Sequence, residues 1–169
     1  GSALGFQYAS KNEFNIKGIV FMEALTRPMV WNDMPFIQKI IFKMFRNEKK
    51  GHRMIAEKNM FIKSFLYKQG IKRKLSDLDK EYYAKPYPTV ASRKPIEVWP
   101  KEIPIEGAPR RNFDIVENYA LWLRNTNVPK LLLYATPGML FTKKEVARLE
   151  AELKNLKTEN VGKGKHYIQ

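Results

Sequence analysis

Two short, continuously apolar runs constrain this chain more than any other feature. Lys17-Gly18-Ile19-Val20-Phe21-Met22-Glu23 and Lys130-Leu131-Leu132-Leu133-Tyr134-Ala135 lack the polar–apolar alternation of a strand with one wet face. A run that is apolar in both registers predicts a strand of a parallel sheet, covered on both sides. Parallel neighbours cannot be joined by a hairpin, so the chain between them must cross over through helices. The first run ends on a carboxylate, Glu23, and the second breaks at Thr136-Pro137-Gly138. In open α/β sheets, functional groups gather at the carboxyl ends of the strands. The expected class is therefore α/β, part of a mostly parallel sheet with a helical insertion between strands.

The remaining segments fit that frame. Gly1-Ser2-Ala3-Leu4-Gly5-Phe6-Gln7-Tyr8-Ala9 reads as a closely packed opening helix. From Pro28 to about Pro109 the texture changes to aromatic and methionine-rich helices over 37–45, 54–66 and 75–83. Ser76 with Asp79 offers a capping box for the last of these. Prolines 86, 88, 95, 100, 104 and 109 then predict an irregular connection. Asn112 is expected to cap a helix over 113–124, with Ile115, Val116, Tyr119, Ala120 and Leu123 on one face. Thr142 and Glu145 predict a second capping box, for a helix reaching Leu153 with Val146 and Leu149 inward. Residues 157–161 form a short third strand, and Gly162-Lys163-Gly164-Lys165-His166 a loose loop after it. The domain division read from this pattern is 1–27 as first part of the core, 28–109 as helical insertion and connection, and 110–169 as second part of the core. Three strands are few for such a sheet, so the chain reads as a piece of a longer protein.

Composition narrows the chemistry. No cysteine is present, which removes disulfides, thiolate nucleophiles and cysteine-ligated metals, and His52 and His166 lie too far apart in sequence for a histidine cluster. No stretch approaches the roughly 18 uninterrupted apolar residues of a membrane span. Thirty-one basic against seventeen acidic side chains give a formal charge of +14. Most of the excess lies between residues 39 and 101 as scattered lysine, without a zinc-finger, phosphate-loop or RNA-binding signature. The expectation is a solvated lysine face rather than nucleic-acid or membrane binding, in a cytoplasmic protein.

Glu23 and His166 are the residues whose placement suggests chemistry, since an acid and a histidine from strand-end loops can pair so that the imidazole acts as a base. Spacing alone leaves open a capping Glu and a solvated His. No Gly-x-Ser-x-Gly turn supplies a serine nucleophile. A resemblance sharpens this reading. Glu23-Ala24-Leu25-Thr26-Arg27-Pro28 with Trp31 and Pro35, Asn59-Met60-Phe61-Ile62, Trp99-Pro100-Lys101-Glu102-Ile103-Pro104-Ile105, Val128-Pro129-Lys130-Leu131-Leu132-Leu133, Thr136-Pro137-Gly138, and Gly162-Lys163-Gly164-Lys165-His166-Tyr167-Ile168-Gln169 occur in this order. Together they resemble the haloalkane dehalogenases of the α/β-hydrolase fold, in the branch whose catalytic acid is a Glu. The sequence is also similar to coelenterazine luciferases of that lineage.

The resemblance implies hydrolysis of a carbon–halogen bond without a cofactor. An Asp attacks the halogen-bearing carbon, and a His oriented by Glu activates water to cleave the resulting ester. It makes Glu23 the acid and His166 the base, sets Pro100 beside the halide, and lines the cavity with Phe42, Phe61, Gln69, Ile103, Met139 and Leu140. The partners implied are a small halogenated aliphatic substrate, water and the halide product. It also implies helices lying over the strand ends to form one apolar cavity near His166. The nucleophile Asp and halide-binding Trp precede the family's Gly-Ser-Ala-Leu-Gly-Phe, which here opens the chain, so the 169 residues alone are expected to be inactive and to need a preceding segment. Two departures stand inside the match: Lys165 puts a cation beside the base, and Met34 replaces the usual Trp. The alternatives are a luciferase-like protein, another hydrolase of this fold, or a non-catalytic binding fragment.

Overall fold

A computed structural model describes residues 1–168. The chain divides into two compact units, 1–28 with 113–169, and 29–112.

The first unit is a three-stranded parallel sheet in the order β1-β2-β3, formed by Ile19–Phe21, Lys130–Pro137 and Leu156–Gly164. Helix α1 (Ser2–Lys11) precedes β1. A later helix, Arg110–Asn125, lies between β1 and β2 in sequence, and Lys143–Glu152 between β2 and β3. The core between sheet and helices holds Phe6, Phe21, Tyr119, Leu123, Leu132, Phe141 and Leu149. Phe21 meets Phe6 edge-on at 5.5 Å and Phe141 at 5.9 Å. This arrangement is that of an α/β-hydrolase fold bearing a helical insertion.

Several local expectations need correction. β1 is not covered on both faces among the described residues: Ile19 and Phe21 share the face that packs on the core, while Val20 points the other way and is 64% exposed. β3 runs on through Gly162 and Gly164 instead of loosening there. A register shift between Tyr134 and Thr136 absorbs Gly162 at φ +101°, and the Gly138 N–H then donates to Gly164 at 3.1 Å. Asn112 lies inside its helix rather than capping it. Its side-chain amide donates to the carbonyl and carboxylate of Glu102, each at 2.7 Å. Thr142 accepts from the Glu145 N–H, but Glu145 turns to Arg148 and leaves the box half made.

Unit 29–112 contains α2 (Phe36–Arg46), α3 (Glu48–Gly51), π-helical turns over His52–Glu57 and Phe61–Gly70, α4 (Asp77–Ala84) and α5 (Lys94–Glu102). The helices starting at Arg110 and Lys143 are α6 and α7. The expected 54–66 helix is split at Asn59, whose φ of +53° interrupts the ladder and which asparagine tolerates better than most residues. The proline stretch is less irregular than expected, since Pro95 sits in the first turn of α5, where a missing N–H costs nothing. The Ser76–Asp79 capping box forms as read. Phe61 anchors an aromatic cluster with Phe45, Phe65 and Trp99 at 5.9, 5.4 and 5.8 Å.

Candidate active site

Glu23 follows β1 with a φ of +42°, a costly conformation for a residue with a side chain. The surroundings hold it there. The Leu25 N–H donates to Ser2 Oγ at 3.2 Å, and the buried Tyr119 hydroxyl donates to the Leu25 carbonyl at 2.7 Å. The chain leaving β1 is therefore fastened to α1 and to α6, and the Glu23 side chain turns inward, 3% exposed.

Its partners come from the turn after β2. Gly138, at φ +70°, folds the chain back so that three consecutive amides face the carboxylate. The N–H groups of Met139 and Phe141 donate to Oε1 at 3.0 and 3.3 Å, and that of Leu140 to Oε2 at 2.8 Å. Thr142 then caps α7 and fixes the far end of this turn. The fourth partner comes from the end of β3, where His166 Nδ1 lies 3.2 Å from Glu23 Oε2. A carboxylate only accepts, so Nδ1 carries a proton, and in the neutral ring Nε2 keeps the lone pair. The imidazole is about a quarter exposed and meets Tyr167 edge-on at 4.9 Å.

Burial is the largest single influence on Glu23 and pushes its carboxyl up. The hydrogen bonds to His166, Leu140 and Met139, with the charge of the imidazole, outweigh it and leave the group below the ordinary carboxylate value. Glu23 is thus an ionised, immobile acceptor, suited to orienting an imidazole rather than to moving protons itself.

The remaining expected site residues divide between the units. Met139 and Leu140 lie in the first and act on Glu23 through their backbone, a role side-chain chemistry did not suggest. In the second, Phe42 and Phe61 are buried, Gln69 is half-buried on the Phe61–Gly70 turns, and Pro100 and Ile103 close α5.

A second His–Glu pair lies in the helical unit. His52 Nδ1 is 3.3 Å from Oε1 of the buried Glu97, and Nε2 is 3.8 Å from Glu57. Lys94 and Lys101 approach Glu97 at 3.6 and 3.8 Å, so this is a charge cluster joining a π-helical turn to α5. Only Nδ1 of this half-exposed ring is within hydrogen-bonding range of a carboxylate, and among the described residues no turn of backbone amides holds that carboxylate as one holds Glu23. Among the described residues no group of acids and histidines could hold a metal, and no helix is long and apolar enough to cross a membrane.

No family model matches the chain. Individual proteins do. It is 31% identical over 170 residues to a haloalkane dehalogenase of Mycolicibacterium smegmatis, covering 100% of this chain and 54% of that protein. It is 36% identical over 143 residues to one of Sphingobium indicum strain B90A, covering 84% and 48%. Among solved structures, haloalkane dehalogenase DbeA from Bradyrhizobium elkani superimposes with a TM-score of 0.92 at 31% identity, over 98% of this chain and 57% of that one. DatA from Agrobacterium tumefaciens C58 does so with 0.89 at 28%, over 100% and 58%. The chain spans about half the length of the curated relatives it matches. Over that span, sequence and fold together point to the haloalkane dehalogenase family of the α/β-hydrolase fold.

Proposed function

We propose that this chain is the acid-and-base portion of a haloalkane dehalogenase. The observation that carries the reading is Glu23, fixed by three backbone amides and accepting from Nδ1 of His166. The protein turns a haloalkane and water into an alcohol, a halide ion and a proton. A carboxylate oxygen from a preceding Asp attacks the halogen-bearing carbon, forming a C–O bond as the C–halogen bond breaks and the halide departs with the electron pair. His166 Nε2 then takes a proton from water, whose oxygen adds to the ester carbonyl, while Glu23 stabilises the imidazolium. Collapse of that adduct expels the alkoxide, which is protonated to the alcohol and restores the Asp.

The resemblance assigns Pro100 to the halide and Phe42, Phe61, Gln69, Ile103, Met139 and Leu140 to the alkyl chain, and it is the resemblance alone that supports these roles. An apolar lining excludes the water that would otherwise compete for the nucleophile. The chain by itself has no first step, because Glu23 is committed to His166 and a histidine alkylated directly has no route back. Exposed apolar groups along α1 and the edge of β1 (Leu4, Tyr8, Val20 and Met22) support the need for a further segment.

The test expresses residues 1–169 with and without a separately made N-terminal piece ending in Asp-Trp, and follows bromide release from 1-bromobutane alongside circular dichroism. Multiple-turnover release only in the mixture is expected, reduced by His166→Ala to no more than one bromide per site, since the halide leaves before the histidine acts. Sustained release by the isolated chain above the buffer rate, with turnover lost in His166→Ala, would place a nucleophile within these residues. No release from a folded mixture would overturn the haloalkane reading.

A further inference from the structure

Tyr119 puts a hydroxyl on the buried face of α6, beside Val116, Ala120 and Leu123. The residue is fully buried, and its ring packs on Phe6 with centroids 5.5 Å apart. A phenylalanine would fill the same space without a polar atom, and a buried hydroxyl costs free energy unless it is paired. This one donates to the Leu25 carbonyl at 2.7 Å. Burial pushes the phenol above its ordinary value, so the group stays a donor.

Leu25 is the anchor on which the conformation of Glu23 depends. Upstream, β1 is fixed to β2 as far as the pair Phe21 and Leu132. Downstream, the Leu25 N–H is held by Ser2 and its carbonyl by Tyr119, and Arg27 Nε lies 3.4 Å from Glu145 on α7. Residues 22–24 bridge the two fixed points, and Glu23 takes the strain at a φ of +42°. Such backbone persists only where its surroundings over-determine it. Releasing the Leu25 carbonyl removes one restraint and lets Glu23 relax towards ordinary φ, which draws its carboxylate off the 139–141 amides and off His166. The end of β3 delivers the imidazole and the Gly138 turn delivers the amides, so Tyr119 acts on the acid, and through it on the base.

We propose that Tyr119 is a positioning residue for ester hydrolysis. By holding the Leu25 carbonyl it keeps Glu23 on His166 in the second half of the reaction, and it has no part in the first. This rests on the haloalkane reading, in which His166 acts only after the halide has left.

The two half-reactions separate this role from plain core packing. Alkylation of the Asp uses neither Glu23 nor His166, whereas hydrolysis of the ester uses both. Tyr119→Phe keeps the ring and deletes the hydroxyl. In the reconstituted two-piece protein with 1-bromobutane, the rapid-mixing rate of the first bromide per site should stay within about twofold of wild type. Turnover should fall about tenfold, the size expected when one partner of a buried hydrogen bond is left unsatisfied. The butyl ester should then accumulate on the N-terminal piece, read by intact mass, and the His166 Nδ1 proton should move upfield in the NMR spectrum. Tyr119→4-aminophenylalanine, which restores a donor, should recover turnover and resonance. Lys130→Met, a destabilising change at the other end of β2, controls for general loosening and should accumulate no ester. Equal loss of the first-bromide rate and of turnover in Tyr119→Phe would overturn the proposal, as would equal ester accumulation in Lys130→Met. An unmoved resonance would show that Glu23 keeps its place without the hydroxyl, and would overturn it too. Absence of bromide release from wild type would end the haloalkane reading, while the resonance in Tyr119→Phe still decides whether Tyr119 holds the pair.

Discussion

His166 Nδ1 and Glu23 Oε2 stand 3.2 Å apart across 143 residues of sequence, and each is delivered by the end of a different strand of one sheet. The carboxylate needs four partners because it is buried. An isolated buried carboxylate would take up a proton, whereas one surrounded by three amides and an imidazole stays ionised.

That balance has a pH signature. Because the folded-state carboxyl of Glu23 lies below its ordinary value, ionised Glu23 contributes stability above the normal range near 4.5 and loses it as pH falls through the lowered folded value. Glu23→Gln removes this contribution. Urea unfolding of the reconstituted protein at pH 7 and at acid pH should show a wild-type advantage over the variant that shrinks on acidification. An advantage independent of pH would mean that the charge of Glu23 is not what the amides stabilise.

Gly138→Ala tests the amide turn. A Cβ at this position would collide with the Phe141 carbonyl, at a φ of +70° that alanine avoids. The turn must then open and withdraw the N–H groups of residues 139–141 from Glu23. The expected loss is about 1–3 kcal/mol of stability, the usual cost of a side chain in such backbone. The imidazole N–H proton of His166 should also lose its downfield NMR position. A variant with full stability and an unmoved resonance would show that the turn does not hold the acid.

Lys130 makes an equally specific prediction at the opposite end of β2. Its buried ammonium donates to the carbonyls of Thr126, Val128 and Lys154 at 3.0, 2.9 and 2.8 Å. It thereby satisfies peptide groups just beyond the carboxyl ends of α6 and α7. Lys130→Met keeps the stem but orphans all three, and should cost about 3 kcal/mol, in line with a buried charged donor removed from its partners. The urea midpoint should fall with little change in slope. An unchanged midpoint would mean that water replaces the ammonium freely.

The basic excess of the helical unit should remain without a nucleic-acid function. Lys49, Lys50, Lys58, Lys63, Lys72 and Lys74 are exposed and scattered along the sequence of the unit. Titration with duplex DNA at physiological salt should give no affinity tighter than the non-specific range of about 10⁻⁴–10⁻⁶ M. Sub-micromolar, strongly salt-dependent binding would assign these lysines a partner.

Local chemistry determined much of this protein without help from the fold. Apolar runs made β2 a strand because its residues suit both faces of a sheet, and Ser76 with Asp79 started α4 because a hydroxyl and a carboxylate satisfy orphan amides within one turn. Glu23 and His166 were legible as strand-end residues of the right chemistry, and the motifs around them carried the resemblance. Tertiary structure decided the rest, for reasons that are not local. Whether Val20 is wet depends on what lies over its face of the sheet, which the run Ile19-Val20-Phe21 cannot encode. Asn112 abandoned a capping role because Glu102, from a preceding helix, offered two acceptors. Met139 and Leu140 serve Glu23 through amides that every residue possesses, so only the path of the turn reveals them. Arg46 and Lys130 carried no sign in the sequence of the three carbonyls that the fold brings to each, because a backbone acceptor has no sequence signature and its position is fixed only when distant segments pack.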